Sequence, residues 1–425
     1  MKRNAIGRAL ELAVAGLLVG ALSAPARAAE RPCEWPQFHG PRRDNISTET
    51  GLLKQWPKGG PRLIWRYSDC GRGYAGVSIA GGRIFTSGDF AETECLLALD
   101  LEGQRAWRAK NGKSWRGAMP GARTTPTYED GVLYHMNPTG RLAAYRAESG
   151  QEIWSVDLRK EFGSRPGQWA LSENVILDGN AVLCGPGGAK GRIVALRKDT
   201  GKRIWVNTEV PDGPAYCSPI LATHAGVRQM ITILEKSIVS VSVRTGELLW
   251  RHEHKTKHNQ NVTMPIFRDG HVYATSGHGT GGRLLKIAPG GREATQVWLN
   301  KDMDNCHGGV LLLAGRLFGS GCRLYGKGLV CVDFRSGKTV WNDRRLGKVS
   351  IAYADGRLYC LSDRGRMSLV EAGPKGCRVV GQFDLPRPKG GGQLALSHPV
   401  ICGGRLYLRH WNELFVYDVR GPRRP

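Results

Sequence analysis

From about residue 61 onward, short runs of alternating apolar and polar residues recur, and nearly all end in a glycine-bearing turn. LLALDL, RLAAYRA, RIVALRK, IVSVSVR, LVCVDFR and LFVYDVR are runs of this kind. Between them stand the tight phrases IAGGRIF, YEDGVLY, FRDGHVY, YADGRLY and ICGGRLY. A period of two marks strands with one face buried. Asp-Gly and Gly-Gly pairs supply the positive φ angles that short hairpins need. Beyond the first thirty residues no stretch carries a helical period, so the chain reads as antiparallel strands joined by hairpins.

The strands are counted by a repeated phrase. ESGQEIW (148–154), DTGKRIW (199–205), RTGELLW (244–250) and RSGKTVW (335–341) belong to a ladder of Trp65, Trp107, Trp154, Trp205, Trp250, Trp298 and Trp341, spaced by 42 to 51 residues. Phe383 follows where the next tryptophan is missing, and Gly103, Gly150, Gly201, Gly246 and Gly337 precede their tryptophans by four. Hairpins fall near Gly81, Asp130, Asp178, Gly226, Asp269, Gly315, Asp355 and Gly403, eight in all. A four-stranded unit of this length, repeated, is the signature of a β-propeller. The eighth unit ends at LFVYDVRG without a tryptophan strand, while PRLIWRYS (61–68) has no strands before it. The expectation is an all-β, eight-bladed propeller of four-stranded antiparallel blades over 61–425, its ring closed by the strand at 61–68. The glycine shapes the last hairpin of each unit, and the tryptophan supplies an apolar plate of about 200 Å² for blade packing.

The beginning of the chain is of a different kind. Lys2, Arg3 and Arg8 precede the apolar run LAVAGLLVGALSA, and Ala26-Arg27-Ala28 is a small-residue cleavage site. This reads as a signal peptide over 1–28, followed by an extended segment over 29–60. The run is too short for a membrane span, and Cys33 lies in no lipidation box, so a periplasmic or secreted protein without an anchor is expected. An exported chain can form disulfides, but its eleven cysteines are an odd number. Cys322 and Cys331 are candidates for a bond along one hairpin, and most of the others read as buried apolar thiols. A formal charge of +24 points, behind a signal peptide, to anionic envelope surfaces, acidic polymers or acidic ligands. No aromatic-basic strip of a nucleic-acid module is visible, and neither nucleic acid nor an oligomer is expected.

The Ser/Thr-Gly-x-x-x-Trp phrase resembles the tryptophan-docking repeat of pyrroloquinoline quinone (PQQ) proteins, among them the quinoprotein alcohol dehydrogenases and the outer-membrane β-barrel assembly lipoprotein. Taken whole, the chain is similar to exported bacterial PQQ-binding-like β-propeller repeat proteins. WPQFHGPRRDNIS (35–47), GYAGVSIAGGRIFTSGD (73–89), HGGVLLLAGRLFGSG (307–321) and HPVICGGRLYLRHWNELFVYDVR (398–420) carry that similarity. It implies the propeller fold over 35–420. Activity is implied less, because fold does not carry function. The dehydrogenases would bring an adjacent-cysteine disulfide, a Ca²⁺ site of carboxylate and amide oxygens and a catalytic Asp. This chain has no Cys-Cys pair, and no cluster of the several converging oxygens that a hard cation needs is evident.

Residues just before each blade's first hairpin should converge on one channel mouth. They are Tyr74, Arg123, Trp169 with Ser172 and Glu173, Tyr216 with Cys217, Asn261, Asn305-Cys306-His307, Lys348 and Ser397-His398. Such a ring could receive a small anionic or polyhydroxylated ligand. In DNCHGG (304–309) the glycines allow close backbone approach and His307 can donate, accept or bind a metal. Neighbours on a strand point to opposite faces, so no metal site is assigned. GHGTGG (277–282) has no helix after it, GPGGAKG (185–191) lacks a GK[ST] ending, and RHEHKTKH (251–258) reads as a solvated edge. The first functional reading is a binding or scaffold module with its ligand site at the channel mouth. A second is a PQQ- and Ca²⁺-dependent alcohol or polyol dehydrogenase, with PQQ carboxylates at Arg123 or Lys348, Trp169 stacked on the ring and Glu173 on the ion. A third is an envelope assembly scaffold that pairs with strands at a blade rim.

Overall fold

The computed structural model describes residues 33–322, 328–388 and 394–422. The leader at 1–28 and the first residues of the segment 29–60 lie outside them. Eight four-stranded antiparallel sheets form the blades. In chain order they span 78–113, 127–157, 176–207, 220–253, 266–300, 310–343 and 349–384, and the eighth combines 400–418 with the strand Arg62–Tyr67. Arg62 pairs with Asp418 and Tyr67 with Leu414, so the N-terminal strand is the outer strand of the last blade and closes the ring as expected. One short helix, Leu158–Phe162, follows blade two, capped by Asp157 and by Gly163 in the left-handed region. At five residues it is too brief to show a period. Among the described residues no helix is long and apolar enough to cross a membrane.

Seven of the eight outer strands carry a bulge directly before a tryptophan. In blade three, Ala195 faces Trp205 while Leu196 faces Arg203, which leaves Ile204 extra and exposed. The same shift leaves out Ile64, Ala106, Ile153, Leu249, Val297 and Val340. A bulge re-aims the next side chain, and in six of these strands the indole hydrogen-bonds to the following blade. The Nε1 atoms of Trp65, Trp107, Trp154 and Trp205 donate to the carbonyls of Leu101, Ala147, Lys198 and Val243 at 2.7–3.0 Å. Trp298 and Trp341 do the same to Phe334 and Gly373.

The glycine of the repeated phrase receives this indole. A Cβ at Gly103, Gly150, Gly201, Gly246 or Gly337 would lie 2.4–2.8 Å from Trp65, Trp107, Trp154, Trp205 or Trp298, the tryptophan of the preceding blade. The glycine therefore serves twice, as a turn residue with positive φ and as a landing site. Blade five lacks it, and Trp250 of blade four instead donates to Gln229 Oε1 within its own blade.

The segment after Cys33 plugs the channel. Trp35 exchanges backbone hydrogen bonds with Ile79 of blade one, the Pro36 carbonyl accepts from Tyr128 of blade two, and Ser47 donates to Tyr353 of blade seven. Arg43, almost fully buried, donates to the carbonyls of Asn174 and Val175 in blade three. Farther on, Trp56 amends the sequence alignment. The bulge in blade seven falls before Gly381, so Gly381 and not Phe383 occupies the tryptophan position. A Cβ there would meet Trp56 at 2.5 Å, and Trp56 also packs on Tyr359 and Phe383. The N-terminal segment thus supplies the aromatic that blade seven lacks.

The cysteine expectation is also corrected. The bonds are Cys33–Cys402, which ties the plug to blade eight, and Cys306–Cys322. Cys331 is a buried free thiol, because it sits in a strand between two others, opposite Phe318 and Trp341.

Two glycines with the same φ of +76° separate the landing role from the turn role: Gly246 under Trp205, and Gly226 with nothing within 4 Å. Gly226→Ala should cost only the left-handed penalty of about 1–2 kcal/mol. Gly246→Ala should cost a further ~1–3 kcal/mol of overpacking, read as the difference between the two variants in chemical denaturation.

Candidate functional site

The first residues of the innermost strands form a cup at the channel mouth opposite the plug's outer face. Hydrogen bonds pass along its wall from blade to blade. Gly76 N donates to Thr125 Oγ1 at 3.1 Å, Thr125 N to Asn174 Oδ1 at 2.6 Å, and Asn174 N to Ser218 Oγ at 2.9 Å. Across the ring, Thr263 Oγ1 donates to Asn305 Oδ1 and Val349 N to Ser320 Oγ. The cavity so enclosed measures about 330 Å³, with Phe38 and His39 of the plug at its base.

Of the fourteen residues proposed from sequence, Tyr74, Arg123, Trp169, Ser172, Tyr216, Cys306, His307, Lys348, Ser397 and His398 line this cavity, and Cys217 does not. Glu173, Asn261 and Asn305 turn away from it. Gly185 N donates to the Glu173 carboxyl, and Asn261 Nδ2 donates to the Leu234 carbonyl at 2.7 Å. Asn305 Nδ2 donates to Gly309 and Ser320. Their neighbours Ser172 and Asn174, Gln260 and Val262, and Cys306 line the cup instead, and Cys306 and His307 both do so, against the alternation expected of a strand, because these loops precede the strands. Phe38 and His39 escaped sequence reasoning because the segment carrying them has no repeat to place it.

Arg123 and Lys348 are the cations of the wall, and among the described residues no carboxylate lines it. Arg123 spends its donors on backbone, with Nη1 to Trp169 O at 2.5 Å, Nε to Gly121 O and Nη2 to Met119 O. Burial pulls its pKa down to about 10, so it remains a cation at neutral pH. Trp169 and Tyr216 meet edge to face with ring centroids 5.7 Å apart. With Phe38, Met119 and Met264 they give the cup a largely apolar surface.

Three histidines connect the plug to the wall. His39 Nε2 lies 3.0 Å from His398 Nδ1, and His398 Nε2 lies 3.0 Å from the His307 carbonyl. A carbonyl only accepts, so His398 is protonated at Nε2 and receives its second bond from His39 Nε2–H. Burial holds all three below the usual range, His398 at about 4, which keeps them neutral. Within the described residues the buried His307 Nε2 has no hydrogen-bond partner.

The three decoys behave unequally. GHGTGG lies between two strands of blade five and GPGGAKG between two of blade three, as expected. RHEHKTKH is not a solvated edge throughout. His254, one residue past the strand Leu248–Glu253, is fully buried with Nε2 2.9 Å from Ser276 Oγ.

An eight-bladed ring with docked tryptophans, closed by its N-terminal strand, defines a PQQ-like repeat propeller. A sequence profile described as outer membrane protein assembly factor BamB matches residues 92–343, more than half of the chain. The chain belongs to this family. The quinoprotein alcohol dehydrogenase PedH of Pseudomonas putida is 30% identical over 184 residues, 42% of this chain and 28% of PedH. The match thus spans less than a third of that relative. BamB of Escherichia coli is 25% identical over 298 residues, 66% of this chain and 70% of BamB. The crystal structure of the quinohemoprotein alcohol dehydrogenase from Comamonas testosteroni superposes with a TM-score of 0.62 at 13% identity, covering 92% of this chain and 81% of that one. That likeness shows the fold alone.

Burial raises the Glu173 carboxyl to about 8, against the Gly185 hydrogen bond and the Arg43 charge. A carboxyl whose pKa is raised on folding stabilises the fold while protonated and loses that contribution as pH rises toward the folded value. Buried histidines oppose this only below about pH 6.5. Between pH 6.5 and 8.5 the protein should therefore lose about 2 kcal/mol through Glu173. Glu173→Gln should remove that share of the loss, measured by denaturant unfolding at both pH values, and leave the part due to Glu94 and the buried thiols, which burial also raises.

Proposed function

We propose that the chain is an exported binding module whose cup takes a small anion with a flat apolar body. The observation carrying this reading is the cup itself: two cations, no carboxylate among the described lining residues, and an aromatic wall over a closed floor. Ordered apolar pockets with a few polar groups are where small ligands bind. The cup surface favours an anion with an aromatic or aliphatic body over a polyol, since few side chains are available to pair with many hydroxyls.

PQQ, an anionic and planar molecule, suits that surface in charge and shape. Its Ca²⁺-dependent use in a dehydrogenase does not fit. Hard cations need several converging oxygens, and Glu173, the carboxylate proposed for the ion, is bonded to Gly185 and faces away. No carboxylate base is available in the cup among the described residues. The family match and the 66% coverage by Escherichia coli BamB favour a second reading, an envelope scaffold. Its expected site is the exposed outer strands, whose bulges turn Ile153, Ile204, Val297 and Val340 to solvent. That reading expects capture of envelope proteins that withstands moderate salt, whereas capture through net charge alone would wash off.

Calorimetric titration with PQQ as probe, in Ca²⁺ and in chelator, tests the first reading. Binding should be equal in both, and Lys348→Met should weaken it at least about tenfold, the ~1.4 kcal/mol of a lost charge-assisted contact. Trp169→Ala should weaken it too. Strict dependence on Ca²⁺, or no effect of Lys348→Met, would overturn it.

A further inference from the structure

Two sulfurs and an imidazole meet at the rim of the cup where blades five and six adjoin. His278 lies in the turn between the blade-five strands His271–Ser276 and Gly281–Ile287. Cys306 precedes the first strand of blade six, and Cys322 follows its second strand, Arg316–Ser320. One imidazole nitrogen and the two Sγ atoms all lie within 4.8 Å of one another. We propose that this trio, with the Cys306–Cys322 bond reduced, binds a thiophilic metal ion of the Zn²⁺ or Cu⁺ kind.

The chemistry of the donors fits such an ion. Two thiolates and a neutral imidazole are the ligands that soft and borderline cations select over carboxylate oxygens. Zn–S and Zn–N bonds place neighbouring ligand atoms about 3.5–3.8 Å apart. The 5.3 Å between the two Cα atoms allows the sulfurs to reach that separation by side-chain rotation. Reduction by a dithiol delivers two electrons and two protons to the bond, giving two thiols here and a disulfide in the donor. Metal binding then releases both thiol protons to solvent.

The surroundings hold the three residues for this purpose. A Cβ at Gly277 would lie 2.6 Å from Cys306 Sγ, so a glycine is what lets the blade-five turn approach the sulfur. Gly279 N donates to Asp304 Oδ1 at 2.8 Å, which clamps that turn to the Cys306 loop. His278 is held at φ 59°, a left-handed conformation that persists where the surroundings impose it. Its Nε2 is hydrogen-bonded to Gln260 Oε1. An acceptor at Nε2 fixes the tautomer with Nδ1 unprotonated, in the way second-shell carbonyls orient metal-binding histidines. Cys306 lines the cup, so a fourth coordination position would open toward it. The site does not depend on whether the cup takes an anion.

The test is anaerobic titration of the dithiol-reduced protein with Co²⁺, read by thiolate-to-cobalt charge-transfer absorption in the near ultraviolet. The reduced wild type should bind one equivalent more than Cys306→Ser or Cys322→Ser, each of which keeps every other cysteine. His278→Gln should lower the affinity of that equivalent at least about tenfold, and the oxidised protein should show no such band. The proposal is overturned if reduced wild type and both serine variants titrate alike, or if His278→Gln leaves the affinity unchanged. Far-ultraviolet circular dichroism on the variants establishes that each is folded when titrated.

Discussion

Closure of the ring depends on one contact made again and again: an indole turned out of its own blade by a bulge and set on the glycine of the next. Burying an aromatic side chain contributes about 1.5–3 kcal/mol, and the indole hydrogen bond to the neighbour's carbonyl fixes its orientation. The same contact joins the two ends of the chain. Trp65, carried by the strand that completes blade eight, docks on Gly103 and donates to Leu101 of blade one. Sequence-distant residues face one another at the channel mouth because joints of this kind bring the eight blades round into a closed ring.

The plug turns that mouth into a cup. Its residues reach blades one, two, three, seven and eight through backbone and side-chain bonds, and the Cys33–Cys402 bond secures its beginning. Several polar groups buried beneath the cup are bonded to the backbone. The Glu173 carboxyl is bonded to Gly185, Arg43 to two carbonyls, and the histidine chain from His39 to the His307 carbonyl is neutral throughout. The cup is lined by aromatic faces, two cations and the histidine His307. This division gives the site a positive, apolar character and, among the described residues, no carboxylate for a hard cation.

Much of the fold was legible because repetition makes weak signals add. No single hairpin phrase identifies a blade, but eight of them at even spacing, with one tryptophan strand missing at the end and one spare at the start, leave few alternatives. The second role of the phrase's glycine was hidden, since it serves the tryptophan some forty residues earlier and not its own. Blade seven misled for a related reason: spacing pointed to Phe383, whereas the bulge puts Gly381 in place and Trp56 arrives from a segment with no period. At the site, convergence of strand starts was readable and facing was not. Ser172 and Asn174 look into the cup while Glu173 looks out, a distinction of one residue in register. Cys306 and Cys322 could not be paired from sequence, because spacing along a hairpin suggested Cys331, which the sheet encloses.

The central claim is that plug and blades together make a cup for a small anion. A crystal structure of the protein soaked with PQQ and no added Ca²⁺ tests this most directly. The account predicts density for the planar rings between Trp169 and Phe38, with a carboxylate directed toward Lys348 and the plug in place. Density elsewhere on the molecule, or an empty cup at saturating ligand, would contradict it.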